Sequence, residues 1–190
     1  DLGVSPVAIG ALIGWGAVVL CIGAPAFGFF TNRVDRRTLL GASLVLYAAG
    51  HAASAFAQDY STLLVTRLLM ISSATIFTPQ AASAVALMVP ENKRAGAVAL
   101  VFMGWAVAGA VVIPFMSILG EVLNWRAIYG GLAVGSALAA AGVYLVLPAK
   151  LHAARMSLRS WGEVITRPAI LILLAATCLQ VAGQFTLFPY

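Results

Sequence analysis

The chain has 190 residues, of which 62% are hydrophobic and 9% charged, with a mean hydropathy of +1.01 and a formal net charge of +5. A soluble domain carries roughly 25% charged residues, so this composition excludes one: its surface could not be covered with polar groups. The eleven Lys and Arg residues do not form the basic stripe of a nucleic-acid interface, and no nucleic-acid partner is expected.

Six apolar runs divide the sequence. A helix needs about 20 mostly apolar residues to cross a hydrocarbon core about 30 Å thick. The first run, Ser5 to Phe30, opens on a Ser-Pro pair suited to an N-cap and first helical position. It is too long for a cleavable signal peptide and no basic segment precedes it. Gly10 and Gly14 in this run have the four-residue spacing that lets helix backbones approach closely in lipid. The loop Thr31 to Arg37 leads to a second run, Thr38 to Ala57, which ends at the turn Gln58-Asp59-Tyr60. The third run, Ser61 to Val89, carries Pro79, which a membrane helix tolerates with a kink.

Pro90 to Arg94 forms the next turn, and the fourth run, Ala95 to Leu119, contains Pro114. After the turn Gly120 to Trp125 comes a fifth run, Arg126 to Leu147, with Gly131 and Gly135 at the same close-packing spacing, stopped by Pro148. Ala149 to Arg167 is the longest polar segment. Its basic residues around Trp161 predict a stretch lying along the membrane surface. The last run starts near Pro168 and is still apolar at Tyr190, and the chain opens at Asp1 rather than Met. It therefore reads as a segment of a longer protein, with the rest of its own chain as a partner.

The cations fix a topology. Arg33, Arg36 and Arg37 fall in one gap, Lys93 and Arg94 in the next but one, and Lys150, Arg155, Arg159 and Arg167 in the one after that. The gaps between hold Asp59, or Glu121 with Arg126. Loops alternating basic and non-basic follow the positive-inside pattern. The expectation is an all-α polytopic protein of the plasma (bacterial inner) membrane, multi-pass in the lipid bilayer, with its basic loops cytoplasmic. Cys21 and Cys178 are isolated inside apolar runs and make no metal or redox pattern. No cofactor and no metal is expected.

Gly28-Phe29-Phe30-Thr31-Asn32-Arg33-Val34-Asp35-Arg36-Arg37 resembles the loop motif Gly-x-Leu-x-Asp-Arg-x-Gly-Arg-Arg of the major facilitator superfamily. Arg67 falls where that superfamily's helix 4 carries its motif arginine. Gly109 to Pro114 resembles the helix 5 antiporter motif, and Gly120 with Trp125-Arg126 resembles the drug- and sugar-efflux branch. The stretch from Gly183 to Phe188 is similar to the opening of that branch's helix 7. The resemblance covers nearly the whole chain. It implies a major-facilitator-type bundle spanning about helices 2 to 7 of a twelve-helix, arabinose-efflux-permease-like transporter. Residues 1–147 would be the N-terminal half lacking its first helix, 148–167 the cytoplasmic central loop, and 168–190 the start of the second half. The sequence departs from the pattern at Asn32, Asp35 and Ile113, and at Met70 and Ile71 in helix 4, which weakens the expectation of strict proton antiport.

Candidate site residues follow. Counted from Ser61, Arg67 lies about 9 Å into the bilayer at 1.5 Å per residue. An arginine inside a span is costly, so it faces a cavity and works there, unless it snorkels to the interface. His51 and Arg67 stand eight residues either side of Asp59, so a hairpin sets them at similar depth. Sharing a face would couple them electrostatically, but nothing in the sequence fixes that face, and a packed neutral histidine is the plainer reading. Gln80, Gln184, Trp15 and Trp105 are further groups at membrane depth, where transporter cavities need a few polar or aromatic side chains.

The resemblance implies a conformational gate built from Gly28, Asn32, Arg33, Asp35, Arg36 and Arg37 with Glu91 and Arg94. It also implies a bend of helix 5 set by Gly109 and Pro114. No catalytic triad, paired carboxylates or phosphate loop is visible, so no enzymatic activity is expected. The reading is a secondary active transporter exporting a sugar or small amphipathic drug by alternating access, with protons as coupling ion. A facilitator without proton coupling, and a non-transporting scaffold or receptor of the same fold, remain the alternatives.

Overall fold

Side-chain caps set where three of the helices begin. The computed structural model describes residues 6–31, 33–152, 162 and 166–187, in two units, Asp1–Ala153 and Ala154–Tyr190. The first unit contains α1 (Pro6–Phe30), α2 (Arg36–Ala55), α3 (Tyr60–Met88), a 3-10 turn (Glu91–Lys93), α4 (Arg94–Val107), a π-helical turn (Ala108–Val112), α5 (Ile113–Val122) and α6 (Trp125–Val146). The second contains α7 (Pro168–Leu187). Among the described residues there is no strand. Four stretches there are long and apolar enough to cross a membrane: Arg36–Ala55, Tyr60–Met88, Glu91–Gly120 and Trp125–Val146. The protein is all-α and multi-pass. The expected cap at Ser5 and the expected surface stretch around Trp161 lie outside the described residues.

The helix α2 begins two residues ahead of the expected Thr38 because Asp35 caps it. The Asp35 carboxylate accepts from the Thr38 amide and hydroxyl, both at 3.3 Å. Asp59 does the same for α3, accepting from the Thr62 amide at 2.7 Å and its hydroxyl at 3.0 Å. The backbone and then the side-chain bond from Thr62 hold the Asp59 carboxyl below the usual carboxylate range, and its charge complements the helix N-terminus. Asn124 caps α6 through the amides of Arg126 and Ala127. The fourth run is not one α-helix. Ile113 N–H donates to Ala108 O, five residues back, and Pro114 has no N–H for Ala110 O, so the ladder changes register through a π turn before resuming.

Lipid tails are as apolar as leucine, so helices in a bilayer associate through close packing and interhelical hydrogen bonds rather than hydrophobic burial. The first unit follows that rule. The helix α3 lies against α1, α2 and α4, and α2 lies against α6. The buried set is small and polar as much as apolar: Ser43, Ser54, Ser73 and Thr75 join Leu39, Leu40, Ala81 and Ala84. Ser54 donates to the Thr66 hydroxyl at 2.8 Å and the Ser73 hydroxyl donates to Ser43 O, two ties between α2 and α3. Large side chains such as Leu145 and Ile118 point outward.

The glycines that permit these crossings are not the expected ones. A Cβ at Gly14, Gly131 or Gly135 would meet nothing within 4 Å. At Gly16 it would run into Ile71, at Gly41 into Tyr144 and at Gly50 into Met70. Helices α1–α3, α2–α6 and α2–α3 therefore touch where a side chain is missing. Gly50→Leu should destabilise the protein by about 1–3 kcal/mol, the usual scale of overpacking. Met70→Ala in the same chain should recover part of that loss. Thermal unfolding of the purified protein in detergent checks both, and additive losses would contradict the contact.

Candidate functional site

Four-residue steps along α2 place Ser43, Tyr47 and His51 on one face. That face opposes α3 and lines two cavities that meet at Tyr47 and Ala74. The first, of about 400 Å³, is bounded by Tyr47 and His51 of α2, by Arg67, Met70, Ile71 and Ala74 of α3, and by Trp125, Ile128, Tyr129 and Leu132 of α6. His51 lies four residues before the end of α2, Tyr129 four after the start of α6, and Arg67 seven after the start of α3. At 1.5 Å per residue these depths are about 6, 6 and 10 Å. The site is therefore one layer near the Asp59 end of the bundle.

Its polar groups are held but not satisfied. The His51 ring stands edge-on to Tyr47, with centroids 4.5 Å apart and planes at 88°. Tyr129 flanks it at 5.6 Å and Trp125 packs on Tyr129 at 5.9 Å. His51 is 6% exposed. Among the described residues neither of its ring nitrogens has a hydrogen-bond partner, and neither does Arg67 Nε. Buried polar groups are normally bonded, and an orphan calls for a reason. An imidazole offers one donor and one acceptor when neutral, and a guanidinium offers only donors. The arrangement can receive a ligand carrying acceptor oxygens against an aromatic wall.

The second cavity, of about 340 Å³, lies between α2, α3 and α4. Trp105 lines it with Phe77 and Phe102, and Ser43, Ser73 and Thr78 supply hydroxyls. Of the other expected site residues, Gln80 is buried in α3 and Trp15 is 58% exposed on α1. Neither lines these cavities. Gln184 belongs to α7 in the other unit, and its side chain lies outside the described residues. Tyr47, Tyr129 and Trp125 are site residues that the sequence reading passed over. The signal for Tyr47 was its place four residues before His51, on the same face.

The two clusters expected to act together as a gate are engaged separately. Glu91 pairs with Arg94 at 3.3 Å, one turn away and exposed, the kind of pair that adds little stability. Arg94 Nε also donates to Ala86 O at 3.2 Å. Asp35 instead reaches the segment after α6, accepting from the Leu151 amide at 2.6 Å, while the Arg36 amide donates to Leu151 O at 2.9 Å. Arg37 donates to Tyr144 O and lies 5.8 Å from that ring's centroid. Arg36 is 4% exposed with Nε and Nη1 unpartnered among the described residues. Arg33 is exposed, Gly28 closes the last turn of α1, and Asn32 lies outside the described residues. Gly109 sits in the π turn and Pro114 just beyond it. Single π turns inside α-helices occur often at functional sites.

Comparison with known proteins adds the following. The sequence model of the Major Facilitator Superfamily matches residues 1–190. The inner membrane transport protein YdhP of Escherichia coli is 32% identical over 98% of the chain and 48% of its own length. The uncharacterized MFS-type transporter YtbD of Bacillus subtilis is 27% identical over 100% of the chain and 48% of its own length. A probable sugar efflux transporter of Mannheimia succiniciproducens is 30% identical over 84% of the chain and 40% of its own length. The chain thus spans about half the length of the curated relatives it matches.

The Asp35 contacts give a direct expectation. Asp35→Ala removes both the α2 cap and the tie to Leu151, and should lower stability by about 1 kcal/mol or more. Asp35→Asn, which keeps a capping oxygen, should lose much less. Thermal unfolding of the two variants separates these outcomes.

Proposed function

The chain belongs to the major facilitator superfamily, and from that premise we propose that the protein it forms part of is a secondary transporter. It exports a sugar or small amphipathic compound by alternating access. Protons entering the cell are the coupling ion. In this reading residues 1–147 are most of one half, 148–167 the cytoplasmic central loop, and 168–190 the start of the other half. The basic loops face the cytoplasm. A printed name among the relatives, that of a probable sugar efflux transporter, supports the cargo class.

The observation that carries the proposal is the arginine inside α3 facing an unpartnered buried imidazole across a cavity bounded by three spanning helices. Burying an imidazole without partners costs free energy, and a transporter recovers it only when cargo or water arrives. A scaffold has no use for that arrangement. The His51 imidazole lines the cavity together with Arg67, which makes it the candidate of this chain for linking proton entry to the cavity. The π turn before Pro114 supports a helix 5 that bends as the halves rock. The Asp35 and Arg37 contacts with the end of α6 support a tie that stiffens one half while it moves.

Reconstituted vesicles test this. Export of radiolabelled arabinose from vesicles containing the full-length protein should rise when a proton gradient is imposed in the direction opposite to export. Arg67→Ala should cut that flux at least about tenfold, as loss of a charge-assisted contact does. His51→Gln should leave flux but remove its response to the gradient. Flux indifferent to the gradient in the unaltered protein would leave a facilitator, and unchanged flux in Arg67→Ala would overturn the role of the cavity.

A further inference from the structure

We infer that the cavity between α2, α3 and α6 binds a small monocarboxylate with a planar or apolar body, its carboxylate seated between Arg67 and His51. The inference rests on the transport reading for its biological use and takes the small amphipathic cargo of that reading to be an acid, such as an aromatic acid.

Charge decides the first part. Arg67 is the one cation lining the cavity among the described residues. The neighbouring Arg126 is turned elsewhere, with its guanidinium 4.4 Å from the Trp125 ring centroid and donating to Ala55 O at 2.9 Å. A neutral ligand would bring no counter-charge to this half-buried guanidinium, whose Nε is buried without a partner among the described residues. A phosphate dianion would bring one charge more than the site supplies. A single carboxylate matches one guanidinium and can take two parallel N–H donors from it.

Hydrogen bonding decides the second part. The His51 ring is more than nine-tenths buried, with both nitrogens unpartnered among the described residues. A neutral imidazole has an N–H to give, and a carboxylate oxygen held by Arg67 is an acceptor for it. The ring cannot turn freely to find another, because Tyr47 and Tyr129 hold it on two sides.

Shape decides the third. At about 400 Å³ the cavity lies in the size range of small-molecule pockets, which are mostly apolar with a few convergent polar groups. Tyr47, Tyr129 and Trp125 supply ring faces and edges, and Met70 and Leu132 supply aliphatic surface. Such walls accept a flat body better than a compact, fully hydroxylated one.

Titration calorimetry of the full-length protein in lipid nanodiscs tests this with two probes of the same shape, benzoate and its uncharged isostere benzamide. Benzoate should bind saturably, and benzamide at least about tenfold more weakly, the size expected when a charge-assisted hydrogen bond is lost. Arg67→Ala should weaken benzoate by a similar factor and leave benzamide unchanged, while Arg67→Lys should retain part of the preference. Three results would overturn the inference. One is equal affinity for the two probes; another is benzoate binding unaffected by Arg67→Ala; the third is no saturable benzoate binding by the unaltered protein, as when a carboxylate elsewhere in its own chain already fills the seat. Export of arabinose and of benzoate measured on the same preparation keeps the two readings apart. Arabinose export without benzoate binding removes the acid site and leaves the transporter, whereas benzoate binding with export of neither compound removes the transporter and leaves the site.

Discussion

Everything in the first unit depends on how closely α2 can approach its neighbours. In a bilayer there is no hydrophobic force between helices to hold them, so contact has to come from backbones that nearly touch and from hydroxyls that bond across the gap. Gly50 brings α2 onto α3 at Met70, and Gly41 brings it onto α6 at Tyr144. Ser54 with Thr66, and Ser73 with Ser43, lock the first of these crossings. The candidate site is a consequence of that geometry. With α2 clamped at both crossings, its Tyr47–His51 face is carried against Arg67 on one side and Tyr129 on the other.

A second consequence concerns what is allowed to move. The α2 start is tied through Asp35 and the Arg36 amide to Leu151, and Arg37 bonds the carbonyl of Tyr144. The start of α2 and the end of α6 thus form one piece. The stretch Glu91–Gly120 is built differently. It has no residue among the buried set, and its hydrogen-bond ladder shifts register between Ala108 and Val112. Stiffness along α2–α6 and a change of register in the α4–α5 span together suit a half that moves as a body while one of its helices bends.

Much of this was written in the sequence in one dimension. The lengths of the apolar runs and the alternation of basic loops gave helix bounds within one or two residues at most ends, because crossing a bilayer is a constraint on length and charge. Which side of each helix faces inward was not legible. The polar residues of α3, among them Thr62, Thr66, Arg67, Ser72, Thr75 and Gln80, are spread around the helix, so no periodicity points to its Arg67 face as lining the same cavity as His51. Glycine spacing misled for the same reason: Gly131 and Gly135 have the right interval, but only a tertiary neighbour shows that Gly41 and Gly50 are the ones that touch. Asp35 was read as a lost glycine in a family motif, whereas its carboxylate caps α2 and holds Leu151. Tyr47 and Tyr129 looked like filler in apolar runs until three helices brought them around one imidazole.

Central to all of this is a solvent-reachable cavity, mostly apolar but carrying His51 and Arg67, inside the span between α2, α3 and α6. Cysteine accessibility tests it most directly. With Cys21 and Cys178 replaced by serine, a cysteine is placed in the cavity wall by Leu132→Cys, and another on the outward surface of α3 by Val65→Cys, a position 64% exposed. In membranes containing the full-length protein, a charged, membrane-impermeant thiol reagent should modify the first and spare the second, because water reaches a cavity that holds a charged side chain but not an apolar outer surface inside the bilayer. Equal reactivity at the two positions, or none at Leu132→Cys, would contradict the account.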